Sequence, residues 1–577
     1  MKPLSAASTL TSALRERLAE TPETPACTLI FLEKPEESYS LSQFLTRCSD
    51  YARHLQSVDS TQEQLVCICL YHGLDLLAAF VGSFLAGQIP TMIAPPSPRM
   101  EKEKYTSSFT KIVEHLHPRF FITDRATLGG LASLSAEGPA GCELIYQEDV
   151  SPSQARSPES SWVSPAPEST VLIQHSSGTT GLQKGVALSH RAVLTQVHHY
   201  ASILDLSAQD KIVSWLPLYH DMGLIACFLL PLLCRVPFVQ LSPFDWVLRP
   251  GMLFDAIHRH QGTLCFLPNF AYEYLRSSVR HSQMSGISIA SVRGLINCSE
   301  PVRAETHRRF AQTFGAAGVT PEKLWSCYAM AENVFAVTQS SVEDQMKVDV
   351  VRRAAFTEKH LALPADANGD EQRFEFVSCG PPIPGTCIEI RDDIGNRCDE
   401  RSVGEICIQG DSLFSGYYRR DDLTEAAFTG DRWYKTGDFG YLAGGELYVT
   451  GRKKDLIIVQ GRNFYPSDIE AIVSETSGVV PGRVVAFGLF EERLGTESIV
   501  VLAETPATAL DELEQISSTI RNEVAQQLDC TLGSVYLLPP KWLVKSTAGK
   551  IARADNKRKF LRELRPGGTL QAHGRAP

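Results

Sequence analysis

Leu65-Val-Cys-Ile-Cys-Leu70, then Gly73 and the apolar stretch Leu74–Leu85 (LDLLAAFVGSFL), then Ile89-Pro-Thr-Met-Ile93 closed by Pro95 and Pro96, is the stretch that decides the fold class. A short apolar run bounded by turn residues reads as a buried strand. An apolar stretch of helical length between two such runs reads as a helix. Strand, helix, strand at this spacing is a βαβ unit, and βαβ units build parallel sheets covered by helices. The chain around this unit has 577 residues, too many for one core, which stops growing at about 250–300 residues. Several packed units are therefore expected.

Downstream, residues 135–169 are rich in Pro, Ser and Ala and read as a long surface loop before a strand at Thr170–Gln174. The α/β patterning continues to about residue 450. The character changes after Arg452. Residues 467–476 read as a short helix with Ser467 as its cap, Val484–Phe487 and Ser498–Glu504 as strands, and Ala509–Leu528 as an amphipathic helix. The expected architecture is α/β: a large N-terminal domain of α/β subdomains (residues 1–452) and a small α+β C-terminal domain (residues 453–577), with a disordered tail at about 565–577.

Composition narrows the function. A net charge of -11 argues against broad nucleic-acid binding. The apolar stretch Leu224–Val239 contains Pro231 and Arg235 and reads as buried structure, so no membrane span is expected. The N-terminus has no apolar secretory core. The fifteen cysteines are scattered with no CxxC pair, as in a cytoplasmic protein with reduced thiols.

The segment Gln174-His-Ser-Ser-Gly-Thr-Thr-Gly-Leu-Gln-Lys-Gly-Val186 is built to approach a polyanion. Its glycines allow close backbone approach, its hydroxyls donate, and Lys184 supplies charge. It is not a Walker loop, because Lys184 precedes glycine and no Ser or Thr follows it. The segment resembles the glycine-rich phosphate loop of the adenylate-forming superfamily, which includes acyl-CoA synthetases, fatty acyl-AMP ligases and peptide-synthetase adenylation domains. Other motifs of that family follow in order, from about residue 20 to 562.

The resemblance implies roles for named residues. Ser176, Ser177, Gly178, Thr179, Thr180, Gly181 and Lys184 would hold ATP phosphates. In Ser214–Leu224 (SWLPLYHDMGL), His220 would sit at the mouth of the acyl pocket, with Trp215, Phe270 and Tyr272 lining it. Asn297–Val302 and Cys327–Glu332 resemble nucleotide segments: Ser299, Glu300, Pro301, Tyr328, Ala329 and Met330 would bind ATP, with Tyr328 offering a face to adenine and Glu332 holding Mg²⁺. Two departures stand here: Ala329 where glycine is usual, and Cys298-Ser299 where a Gly-Ala pair is usual. Both could narrow the nucleotide site. Asp438 in YKTGD would hold the ribose, Arg452 and Arg462 would contact ribose or phosphate, and Lys454 would be the hinge of a mobile small domain. Lys545–Ile551 (KSTAGKI) resembles the C-terminal lysine loop, with Lys550 catalytic.

Trp215–Leu224, Phe244–Pro250, Pro268–Tyr272 and an insert at residues 333–378 resemble free-standing fatty acyl-AMP ligases most. That group implies activation of a fatty acid and transfer to the phosphopantetheine thiol of a separate acyl carrier protein. An acyl- or aryl-CoA synthetase, and a non-catalytic binding module, remain as alternatives.

Overall fold

The computed structural model describes residues 8–96, 102–130, 141–152, 158–175, 184–342, 345–366, 372–459, 462–491, 496–546 and 549–564. The deciding stretch folds as read. The strands Leu65–Ile68 and Ile89–Met92 pair in parallel, joined by the helix Leu74–Leu85. They continue in parallel through Phe120–Thr123 to Glu143–Tyr146. That last strand corrects one expectation. The segment read as a long loop at 135–169 contains this strand and a short 3-10 turn, Pro158–Ser161, with Trp162 buried behind it. Its apolar run, Leu144–Tyr146, is only three residues long, and Pro- and Ser-rich neighbours conceal it.

A second, larger sheet has eight strands. In spatial order they are Ala336–Gln339, Leu324–Ala329, Gly294–Asn297, Leu264–Leu267, Ile212–Ser214, Phe238–Leu241, Pro25–Ile30 and Glu37–Ser40. The inner strands run parallel and the two outermost pairs antiparallel. A three-stranded sheet (Thr170–His175, Gly185–Ser189, Gly416–Tyr417) and a four-stranded antiparallel sheet (Thr386–Arg391, Gly404–Gly410, Tyr434–Ala443, Glu446–Arg452) complete the large unit. One apolar core runs through it, from Leu10 to Leu447.

Beyond Arg452 comes a separate core, from Ile457 to Val535, around the strands Val484–Glu491, Thr496–Glu504 and Ser534–Leu538. The fold is thus α/β with a large N-terminal and a smaller C-terminal unit. The helix Pro466–Glu475 starts at Pro466, with Tyr465 as its cap residue, so Ser467 lies inside the first turn. Proline at the first helical position has no N–H to leave unsatisfied and a φ already suited to the helix, which sets the start one residue early. The expected disordered tail at 565–577 lies outside the described residues. All fifteen cysteines are free thiols, and only Cys387 is exposed. Among the described residues, no helix is long and apolar enough to cross a membrane.

Three deeply buried histidines hold elements together as neutral rings. The Leu10 N–H donates to His190 Nδ1 at 3.2 Å, Asn297 Nδ2 lies 2.9 Å from His307 Nε2, and His175 Nε2 lies 2.9 Å from Thr91 Oγ1. Burial pushes each ring down to about 4 from the usual 6.5. The unfolded chain then takes up protons that the folded interior refuses. Stability present above about 6.5 is lost as pH falls toward about 4. The thermal midpoint should fall across that window, and a midpoint flat between those values would contradict this account.

Candidate active site

Four of the quoted motifs leave the carboxyl ends of neighbouring parallel strands in the large sheet. Trp215 follows Ile212–Ser214, Phe270 follows Leu264–Leu267, Cys298–Pro301 follows Gly294–Asn297, and Met330–Glu332 follows Leu324–Ala329. Ligands in α/β sheets bind at this edge. The spacing in sequence gives no hint of the adjacency; the strand order creates it.

Tyr219-His220-Asp221 precede an eight-residue π-helix, Met222–Leu229. This geometry is rare and concentrates at functional sites. The turn into it is tight: a Cβ on Gly223 would lie 2.3 Å from the Pro217 carbonyl oxygen. Gly223→Ala must therefore move the backbone that carries His220. It should lower both the thermal midpoint and any His220-dependent activity, and an unchanged melt would show that the turn relaxes freely. His220 is only half exposed and its Nε2 is enclosed with no partner among the described residues. Burial, then Lys550 and His175, pushes the ring down to about 3, so it is neutral at ordinary pH. Asp221 feels burial upward and Lys550 downward.

Lys550 arrives from the small unit. Its loop is a hairpin: the Ser546 N–H donates to the Lys550 carbonyl at 2.7 Å, the Gly549 N–H to the Ser546 carbonyl at 2.9 Å, and Lys545 bridges Ile551. Gly549 holds φ +81, where side chains are strained, and a Cβ there would come within 3.2 Å of the Phe270 ring. The Lys545 ammonium sits 5.8 Å above that same ring. The hairpin so placed lets Lys550 Nζ donate to the Ser299 carbonyl at 2.7 Å. Ser299 itself adopts φ +71, which turns its carbonyl out of the regular strand path. Arg303–Asp468 (2.8 Å) and Arg309–Glu475 (3.2 Å) add ion pairs between the same two units.

A second cluster centres on Glu332, whose carboxylate is buried. Tyr417 Oη donates to Glu332 Oε1 at 2.9 Å and lies 3.1 Å from Tyr434 Oη. Lys184 stands 4.3 Å over the Tyr417 ring. Burial raises the Glu332 carboxyl, while Tyr417, Lys184 and Tyr434 oppose that shift. Tyr417 escaped the sequence reading. It comes from a two-residue strand paired to Val186, about 230 residues from Lys184 in sequence, and nothing in its local sequence marks it.

A third group lies at the hairpin of Tyr434–Ala443 with Glu446–Arg452, where Asp438 stands opposite Arg452. Asp438 accepts from Tyr328 Oη at 2.8 Å and pairs with Arg452 at 3.3 Å. Lys454 occupies the turn Lys453–Asp455 that follows. Two predicted residues are not brought to these groups. Arg462 pairs with Asp529 at 3.2 Å and donates to its carbonyl at 3.0 Å, at the end of the helix Leu510–Leu528. Tyr272 is buried against His307 and Phe310, on the opposite side of its helix from Phe270. Two residues apart on a helix, 270 and 272 cannot face the same way. The Cys298 thiol is fully buried against Cys327. Ser176–Gly181 lie outside the described residues.

The fold and these loops define the class, and a profile of the AMP-binding enzyme family matches residues 14–418. The chain belongs to that family of adenylate-forming ligases, for which ATP is a substrate. Among individual relatives, it is 28% identical to the medium-chain-fatty-acid–[acyl-carrier-protein] ligase JamA of Moorena producens, over 92% of this chain and 91% of that one. It is 27% identical to the long-chain-fatty-acid–AMP ligase FadD26 of Mycobacterium marinum, over 94% and 95%. A solved structure from work on fatty acyl-adenylate ligases of E. coli and L. pneumophila superposes with a TM-score of 0.87 at 26% identity, covering 96% of this chain and 98% of that one. The L. pneumophila fatty acyl-adenylate ligase in complex with acyl adenylate and pyrophosphate gives 0.74 at 28% identity, covering 96% of each.

Proposed function

We propose that this protein activates a fatty acid or related carboxylic acid with ATP to an acyl-adenylate, releasing pyrophosphate, and then passes the acyl group to the phosphopantetheine thiol of a separate acyl carrier protein. The observation that carries the reading is the reach of Lys550 Nζ to the Ser299 carbonyl, at the carboxyl edge of the large sheet. A carboxylate must approach a triphosphate, so positioning and charge stabilisation are the main tasks. Lys184 holds phosphate charge beside Glu332. Asp438 accepts the ribose hydroxyls, exchanging its Tyr328 partner for the nucleotide. His220, neutral, orients the acid. Lys550 leaves the Ser299 carbonyl and bridges the attacking carboxylate and the α-phosphate.

Glu332 fits a magnesium ligand, since a buried carboxylate with a raised pKa gains from a cation. Among the described residues there is no group of three metal-binding side chains. When bound, Mg²⁺ would offset the charge on the phosphates. Asp438→Ala should weaken ATP binding with the fold intact; unchanged affinity by calorimetry would remove its ribose role.

The choice of acceptor rests on the insert. Its strands Val348–Arg352 and Arg373–Val377 flank the helix Arg353–Lys359. Arg353 donates to the Gln527 carbonyl and Gln372 Nε2 to the Gln526 carbonyl at 2.8 Å, at the end of a small-unit helix. Phe356 packs 6.1 Å from Tyr465. These contacts span the two units beside Lys454 and would restrain rotation about that hinge, which favours a carrier-borne thiol over free CoA. The test is a panel of acids with ATP and either CoA or a holo carrier protein, read as intact masses of acyl-adenylate, acyl-CoA and acyl-carrier. Efficient acyl-CoA formation overturns the acceptor; no acyl-adenylate with any acid overturns the reaction.

A further inference from the structure

Trp246 takes no part in the chemistry above, yet it stands directly behind it. Lys550 neighbours Gly549, whose Cβ position lies 3.2 Å from the Phe270 ring. Phe270 meets Trp215 edge-on at 6.2 Å between ring centroids. Trp215 in turn lies flat on Trp246, with centroids 3.6 Å apart and planes 6° from parallel. Trp246 is fully buried and backed by Tyr274 at 5.4 Å, whose hydroxyl donates to the Val247 carbonyl at 2.7 Å. The line Lys550, Phe270, Trp215, Trp246 starts where the reacting carboxylate would lie and runs inward.

We infer that the Trp215–Trp246 stack is the end wall of the acyl pocket, and that it limits the substrate to short aliphatic or compact aromatic acids. The inference rests on the adenylate-forming reading above. Indoles at 3.6 Å are in van der Waals contact, so no methylene chain threads between them. A longer chain must displace a ring that Tyr274 and the helix Pro243–Leu248 hold in place. Both indole N–H groups are enclosed without an acceptor among the described residues. Buried donors are normally paired, and an unpaired one calls for an explanation. Both donors are closed off from solvent, so the stack is a solid back with no opening through it.

The experiment uses the full chain with ATP and saturated straight-chain acids from butanoic to hexadecanoic, plus benzoic and phenylacetic acids, read as acyl-adenylate by mass. The native protein should prefer the short and aromatic acids. Trp246→Ala should raise the kcat/KM ratio of long to short acids by at least about 10-fold, the scale of discrimination that one or more methylenes provide in an apolar pocket. Trp246→Leu and Trp246→Phe, each checked by thermal melt, cover the case in which the alanine variant fails to fold, with the smaller shift in the phenylalanine variant. Hexadecanoic acid used by the native protein as well as butanoic acid, or an unchanged chain-length ranking in every folded variant, overturns the wall. Failure of the native protein to form any adenylate would instead overturn the reaction itself.

Discussion

Lys550→Ala is expected to lower acyl-adenylate formation by at least about 100-fold, the cost of losing one strong donor to developing charge, while the fold stays intact. The two effects separate because of how the residue is held. Among the described residues its side chain makes one hydrogen bond, to the Ser299 carbonyl. The hairpin itself is fixed by the backbone bonds at Ser546 and Gly549 and by Gly549 lying against Phe270. None of these needs the ammonium. ATP–pyrophosphate exchange measures the first effect and a thermal melt the second. Transfer of the acyl group from a supplied acyl-adenylate to the thiol should change far less, since in the proposed mechanism the lysine acts while the adenylate is being made. Near-normal exchange in this variant would withdraw the assignment.

Glu332→Gln carries the second large effect, and its two readouts should move in opposite directions. The substitution keeps an oxygen to accept from Tyr417 and removes the charge. Burial is the largest influence on this carboxyl and raises it, so the ligand-free fold bears a cost for holding the group ionised. The neutral amide should raise the thermal midpoint of the free protein. Adenylate formation should drop at least about 100-fold, because a group suited to a cation beside phosphates is lost. A variant that is both active and no more stable would show that Glu332 is an ordinary buried acid.

The parts of this molecule legible in its sequence are those decided by near neighbours. Leu65–Ile93 reads as strand, helix, strand because its apolar runs and bounding turns are local. The strand Thr170–His175 and the helix Leu510–Leu528 read for the same reason. Glu143–Tyr146 was hidden because a parallel strand of four residues needs its neighbour Phe120–Thr123 to exist at all. In the candidate site, the resemblance pointed to Lys550, Glu332 and Asp438 but not to what surrounds them. Tyr417 reaches Glu332 only through the pairing of Gly416–Tyr417 with Val186 and Ala187. Trp246 meets Trp215 only because the strands Ile212–Ser214 and Phe238–Leu241, which precede them, lie side by side. Arg462 and Tyr272 went the other way: each sits within a motif, but Asp529 claims one and the packing against Phe310 claims the other.

The distribution of thiols gives the molecule a ready attachment point for a spectroscopic reporter. Cys387 lies on an exposed position of the strand Thr386–Arg391, and the small unit's single cysteine, Cys530, is buried. With the half-buried Cys142 and Cys398 replaced by serine, a maleimide dye should label the native chain at Cys387 alone, on the large unit. A second thiol introduced at the exposed Phe490 would put a partner dye on the small unit. Energy transfer between the two would then test the rotation about Lys454 proposed above, in solution and at each step of the reaction.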